Sequence, residues 1–214
     1  IPDGGIPHWD QHAIAFESTT RPSNYVLWVG NDGGIFRSED WGLNWGHRNS
    51  TLSTLQFRGL SCHPDYDAVM IGGTQDNGIL RYSGTPTWEF VYPGDGGFTA
   101  IDNTIPTRMY KGSEKGNDIQ RSDDAGAKGS WVSKTGGIMG STLPYPPFEI
   151  DPSSTNVCYF GNAQLWRTDV SADSWTAITG VVSGGDVISA IAVHPTDPTI
   201  IYIGTSGGIV YRVQ

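Results

Sequence analysis

The chain has 214 residues, enough for one large domain or two small ones with a buried core. With 13 Lys and Arg against 22 Asp and Glu, its net charge of −9 excludes a general nucleic-acid or anionic-membrane binder, because either needs a basic patch. Charged residues at 16% are too few for a coiled coil, no apolar run approaches the roughly 18 residues of a membrane span, and two Cys cannot make a disulfide framework.

The 29 Gly, 13 Pro, 8 Trp and 9 Tyr predict many short strands between tight turns. One pattern recurs five times: an apolar strand, a turn often reading His-Pro or Asp-Pro, a second strand ending near Gly, a Gly-rich turn and a third strand, after which a Trp opens a fourth. The first copy runs His12–Phe16, Tyr25–Gly30 and Ile35–Ser38, then Trp45. The second runs Phe57–Cys62, Ala68–Gly73 and Ile79–Tyr82, then Trp88. The third runs Phe98–Asp102, Met109–Gly112 and Ile119–Ser122, then Trp131. The fourth runs Phe148–Asp151, Val157–Gly161 and Leu165–Thr168, then Trp175. The fifth runs Val187–Val193, Ile200–Gly204 and Ile209–Val213, and stops. No segment shows a helical period with caps.

Four short strands repeating every 40 to 46 residues predict an all-β fold, a β-propeller of four-stranded blades with five repeats visible. One meander cannot bury both faces, so neighbouring blades must stack. The predicted blades are 10–52, 53–95, 96–140, 141–184 and 185–214, within a single domain spanning 1–214. The last lacks a fourth strand, which Ile1–Ile6 or another segment would supply. Either a five-bladed ring or part of a larger propeller fits the count. The start at Ile1 rather than Met, with no signal peptide in view, suggests a processed form, an excised fragment or a chain whose beginning is not given.

Ser38-Glu39-Asp40-Trp41-Gly42-Leu43-Asn44-Trp45 reads S-x-D-x-G-x-x-W, and Ser122, Asp124 and Gly126 repeat it with Trp131 displaced by two residues. A third-to-fourth-strand turn suits those residue types. Ser and Asp bond backbone groups, Gly permits positive φ and Trp packs into the sheet. Ser38, Asp40, Gly42, Trp45, Ser122, Asp124, Gly126 and Trp131 are therefore expected to be structural. The motif resembles the Asp-box of the sialidase-like (BNR) repeat propellers. With His8–Phe16, Val29–Gly34, Gly72–Gly78 and Gly94–Gly97, the whole chain is similar to secreted Asp-box propellers related to the sortilin ectodomain and the xyloglucanase-type glycoside hydrolases. The resemblance implies a secreted or extracellular protein, with a bacterial or archaeal cell envelope among the settings. It does not fix an activity.

Propeller topology puts turns between strands two and three on the same face as the links between blades. Asp32 and Asp76 lie in such turns, and Asp10, Asp95 and Asp186 in such links, with His8 and His12 beside Asp10. All five acids are expected to converge. The candidate ligand-binding residues are Asp10, His12, Asp32, Asp76, Asn77 and Asp95. Three readings compete for the acids: ordinary tight turns, oxygen ligands for Ca²⁺ from Asp32, Asp76 and Asp95, or a carboxylate pair for glycoside hydrolysis drawn from the same three. The resemblance to xyloglucanase-type enzymes places Asp32, before Gly33-Gly34, where those enzymes carry a catalytic Asp. Their partner acid comes from a second propeller that this chain lacks.

A sialidase would need a convergent Arg triad. Arg37, Arg81, Arg121, Arg167 and Arg212 instead recur at one third-strand position, which reads as structural, and the family's Arg-Ile-Pro motif is absent. His63 and His194 precede Pro in first turns, where Asp151 fills the same slot. Cys62 and Cys158 are expected as buried thiols, Trp28 as core, and Trp9, Trp41 and Tyr145 as candidates for stacking on sugars. Asn49-Ser50-Thr51 is a glycosylation sequon. The long link Thr135–Pro147 suggests a binding lip. The expected function is a non-catalytic binding or scaffold module holding a glycan, peptide or protein on its acidic face. Nucleic acid and direct membrane insertion are not expected, and no cofactor is required unless Ca²⁺ binds. Other modules of a longer chain or further copies are expected partners. The alternatives are a xyloglucanase-type hydrolase using paired Asp and a structural subunit of an extracellular assembly.

Overall fold

The computed structural model describes residues 6–17, 25–52 and 55–213, and they form two compact units, Ile1–Gln56 and Phe57–Gln214. The candidate strand Ile1–Ile6 lies outside the described residues except for Ile6.

The first unit holds one sheet in chain order: β1 (Gln11–Glu17), β2 (Val26–Asn31), β3 (Gly34–Ser38) and β4 (Gly46–His47). The second holds four sheets. The first two are β5 (Phe57–Cys62), β6 (Met70–Thr74), β7 (Gly78–Tyr82) and β8 (Glu89–Tyr92), then β9 (Gly96–Ile101), β10 (Met109–Ser113), β11 (Ile119–Ser122) and β12 (Val132–Ser133). Next come β13 (Phe148–Ile150), β14 (Cys158–Gly161), β15 (Leu165–Thr168) and β16 (Thr176–Ala177), and last the three-stranded sheet β17 (Ile188–Val193), β18 (Ile201–Thr205) and β19 (Val210–Val213). Every pairing is antiparallel between consecutive strands. The one helical element among the described residues is a 3-10 turn at Ser183–Gly185. The strands follow the expected order, with ends moved by a residue or two.

In the second unit the sheets stack, and each junction has its own apolar core. Ile71, Ile79 and Val91 meet Ile101 and Met109 at the first junction. Tyr110 and Ile119 meet Phe148, Phe160 and Trp166 at the second, where Phe98 stacks on Phe148 at 4.6 Å. Tyr159 and Leu165 meet Ile188, Ile191 and Ile203 at the third. The second strand of each four-stranded blade in this unit is the most buried, as a strand flanked on both edges and both faces must be.

The Gly-Gly pairs have a reason beyond turn geometry. A Cβ on Gly73 would lie 2.1 Å from the Gly97 carbonyl oxygen, and one on Gly96 would lie 2.7 Å from the Gly73 Cα. The backbones of β6 and β9 therefore touch, which no side chain would permit.

Two expectations are corrected. Cys62 is exposed, because the outer face of β5 carries it; Cys158 is buried, and both thiols are free. Trp28 is only half-buried: its Nε1 donates to Glu17 Oε2 at 2.8 Å and Arg37 stacks on its ring at 5.4 Å, so it covers a sheet face and does not fill a core.

Candidate functional site

The S-x-D-x-G turns are built as their residue types require. Ser38 Oγ accepts the Gly42 N–H at 2.8 Å and donates to Asp40 Oδ1 at 2.8 Å. Asp40 in turn accepts from the backbone and side-chain nitrogens of Asn44, at 2.8 and 2.6 Å, and the Trp45 indole donates to the Gly42 carbonyl at 3.0 Å. Trp41 and Gly42 take positive φ, 64° and 84°. In the third blade Ser122 Oγ accepts from Asp124 and Gly126, both at 3.1 Å, but its other partner is Ser130 Oγ at 2.6 Å and the Asp124 side chain is exposed. The two-residue insertion that displaces Trp131 brings Ser130 to the place Asp40 fills in the first blade. The fourth blade keeps the turn with Thr168 in the serine's place: Thr168 Oγ1 accepts from Val170 and Ala172, at 3.2 and 3.1 Å.

The candidate acids fall in both units. In the first, His12 Nε2 lies 2.5 Å from Asp32 Oδ1, and Asp10 takes φ of 58°. The turn carrying Asp32 is fixed by its neighbours. Asn31 Oδ1 accepts the Gly33 N–H at 3.0 Å, and Asn49 bridges Gly33 and Ile35 with two bonds of 2.8 Å. The sequon nitrogen, Asn49 Nδ2, is thus bonded within the fold.

In the second unit four segments converge beside the β6–β7 turn, and the contacts close into a circuit. The Asp76 N–H donates to Asp95 Oδ1 at 3.0 Å, and the Glu114 N–H to the Asp95 carbonyl at 3.4 Å. Tyr145 donates its N–H to the Glu114 carbonyl at 3.2 Å, and Arg58 lies over the Tyr145 ring at 4.7 Å. Arg58 Nε returns to Gln75 Oε1 at 3.0 Å, one residue from Asp76. Asn77 Nδ2 donates to the Gln75 carbonyl at 3.2 Å. Tyr145 sits at φ of 57°, unfavourable for an aromatic residue, and its hydroxyl is buried beside Arg58. Burial, then the carboxylates of Glu114 and Asp95, hold the Tyr145 pKa above its ordinary value against the pull of Arg58.

The long loop that carries Tyr145 is anchored from beneath by Asn162, which is fully buried. Its Nδ2 donates to the Met139 carbonyl at 2.9 Å and to Asn117 Oδ1 at 3.0 Å, and its Oδ1 accepts from Gln164 and Trp166, both at 2.9 Å. Asp76 and Asp95 were expected as site residues; Arg58, Glu114 and Asn162 were not. Asp186 serves its own blade, accepting from Thr205 Oγ1 at 3.1 Å.

No protein-family model matches the chain, and no curated protein matches it. Among solved structures the chain is similar to the GH74 xyloglucanase from Xanthomonas campestris, at 18% identity and a TM-score of 0.60, over 87% of this chain and 35% of that one. It is similar to an ancestral GH74 enzyme at 14% identity and a TM-score of 0.56, over 99% of this chain and 32% of that one. It is also similar to YCF48, solved bound to D1 peptide, at 15% identity and a TM-score of 0.52, over the whole of this chain and 67% of that one. The chain spans about a third of the length of either GH74 enzyme. At these identities the likeness establishes the fold, a β-propeller of four-stranded blades.

Proposed function

We propose that the chain is an extracytoplasmic, non-catalytic binding module of Asp-box type that recognises a peptide or protein segment through the Arg58–Tyr145 circuit. The observation that carries this reading is the convergence of Arg58, Glu114 and Asp95 on Tyr145, a residue held at positive φ. A strained backbone costs stability, and binding sites are where such costs persist. Asp76, Asp95 and Glu114 favour a ligand that brings a basic group. A neighbouring fold solved with a peptide supports this choice of ligand class.

The likeness to GH74 enzymes supports a second reading, hydrolysis of a β-glucan using Asp32 with Asp76 or Asp95. One experiment separates them. The chain and its Glu114→Gln and Asp32→Ala variants are titrated by calorimetry with short Arg- and Lys-containing peptides and with xyloglucan oligosaccharides, and the oligosaccharides are assayed for cleavage. Peptide binding weakened by Glu114→Gln and untouched by Asp32→Ala is the expected result. Cleavage of oligosaccharide lost in Asp32→Ala would replace the binding module with an enzyme.

A further inference from the structure

The four sheets of the second unit share one turn between their first and second strands. The residue that opens it donates its N–H to the carbonyl six residues on: His63 to Val69 at 2.9 Å, Asp102 to Arg108 at 3.0 Å, Asp151 to Val157 at 2.9 Å and His194 to Ile200 at 3.0 Å. The N–H of that sixth residue returns to the carbonyl three before it, as from Val69 to Tyr66 at 2.9 Å and from Arg108 to Ile105 at 2.7 Å. A side-chain atom of the opening residue then accepts the N–H two residues on. In the third and fourth blades that atom is a carboxylate oxygen, Asp102 Oδ1 for Thr104 and Asp151 Oδ1 for Ser153, both at 2.8 Å. In the second and fifth it is an imidazole nitrogen, His63 Nδ1 for Asp65 at 3.1 Å and His194 Nδ1 for Thr196 at 3.3 Å.

The two chemistries respond differently to acid. A carboxylate remains an acceptor at any pH well above about 4, whereas an imidazole nitrogen accepts only while it carries no proton. The Asp65 bond therefore assigns His63 the tautomer with Nδ1 bare and the proton on Nε2. His63 is 4% exposed, its ring lies 4.7 Å from that of Tyr66, and Nε2 is buried without a hydrogen-bond partner among the described residues. A second proton would set an Nδ1–H against the Asp65 N–H and seal a cation from water. The surroundings do not compensate it. Asp65 and Asp67 belong to the turn itself, Val69 closes it from the β6 side, and Gly84 of the β7–β8 turn packs on Ala68, where a Cβ would come within 3.2 Å. None of the ion pairs among the described residues includes His63. His194 differs: it is exposed, and the Asp197 carboxylate stands close to it, with Arg212 close to Asp197, so water and a carboxylate can hold its charge.

We infer that the His63 turn is an acid-sensitive latch. It is closed while the imidazole is neutral. When the ring takes a proton it leaves its buried place for water, and the turn joining β5 to β6 opens. The open turn binds the proton and the closed one does not, so closure weakens as pH falls through the range of about 8 to 5 in which an imidazole charges. The Asp102 and Asp151 turns stay closed over that range. The latch stands apart from the Tyr145 site, because Arg58 and Gln75 lie near the other ends of the same two strands.

Amide exchange followed by NMR on the whole chain, corrected for the intrinsic pH dependence of exchange, tests it. From about pH 8 to about pH 5 the protection of the Asp65 amide should fall about tenfold or more, while the Thr104 and Ser153 amides in the same spectra keep theirs. Ring nitrogen shifts at the alkaline end should place the His63 proton on Nε2 alone. His63→Asn puts a carbonyl oxygen in the place of Nδ1 with no titrating proton, so it should keep the fold by circular dichroism and lose the pH dependence at Asp65. Asp65 protection that changes no more than that of Thr104, a proton on Nδ1 at the alkaline end, or a His63→Asn variant that loses protection in acid as the parent does would each overturn the latch. The first two are read on the unmodified chain and decide the matter even where the variant does not fold.

Discussion

Arg121 Nη1 donates to the Ser171 carbonyl at 2.6 Å, tying the third strand of one blade to the S/T-x-x-x turn of the next. Arg81 repeats the contact one blade earlier, donating to the Ala125 carbonyl at 3.1 Å. Ser171 and Ala125 occupy the same fourth position of their turns and both take positive φ, 54° and 48°, which turns the carbonyl toward the neighbouring blade. Arg81 and Arg121 are therefore clasps between blades.

Arg121 also reaches Asp123 and Asp173, at 2.9 and 3.2 Å, with its side chain only 11% exposed. Arg121→Ala should cost about 2 kcal/mol, the range for hydrogen bonds to a charged group, read as a lower urea midpoint at unchanged slope. Arg121→Lys should recover only part of it, because an ammonium cannot fork onto a carbonyl and two carboxylates. A lysine variant as stable as the parent would reduce the clasp to bare charge.

Asp40 carries a pH dependence of known sign. The Asn44 side chain first, then the Asn44 backbone N–H and Ser38, hold its pKa below the ordinary carboxylate value. The folded pKa is depressed, so the stabilisation is present above the unfolded pKa and fades as pH falls through the folded one. Melting temperature against pH should therefore fall less steeply between about pH 4 and 2 for Asp40→Asn than for the parent. Parallel curves would show that the turn holds without the charge.

The blade count, the strand order and the role of the third-strand arginines were legible because they repeat: a periodic chain states each structural demand several times. The candidate site was legible only in part. Asp76 and Asp95 stood out as acids beside glycines and Tyr145 as a stacking candidate in a long link, whereas Arg58 and Glu114 join them through backbone bonds and one ring contact between segments up to some 90 residues apart, which leave no local pattern. Gly73 and Gly97 read as turn residues, yet they serve the close approach of β6 to β9. The exposure of Cys62 follows from which face of β5 lies open, and an apolar strand sequence does not state that.

The two thiols should behave oppositely. Burial pushes the Cys158 pKa up to about 12, and Cys62 is exposed. Since the thiolate is the reactive form, native protein should release one equivalent of thionitrobenzoate from Ellman's reagent, and denatured protein two. Cys62→Ser should abolish the native reaction. A fast second equivalent under native conditions would mean that the junction between the third and fourth blades opens readily.

Lys111 is the least expected buried group. It is 1% exposed on β10, with its ammonium 3.5 Å from the centre of the Tyr92 ring and 3.4 Å from Asp118 Oδ2. Gln120 completes the set, donating to both Tyr92 Oη and Asp118 Oδ1 at 3.0 Å. Burial, outweighing Asp118, lowers the Lys111 pKa. The unfolded chain therefore binds the proton more tightly, and stability should rise with pH from the lowered value toward the ordinary lysine pKa of about 10.4. Lys111→Met, of similar length and without charge, should be neutral or stabilising by about 1 kcal/mol at pH 7 and should remove that alkaline rise. Asp118→Asn should instead cost about 3 kcal/mol, because it leaves a buried ammonium with only an aromatic face beside it. Urea titrations of both variants at pH 7 and pH 9.5 decide the matter. A strongly destabilised Lys111→Met beside a silent Asp118→Asn would show that the ring, and not the carboxylate, holds the lysine in place.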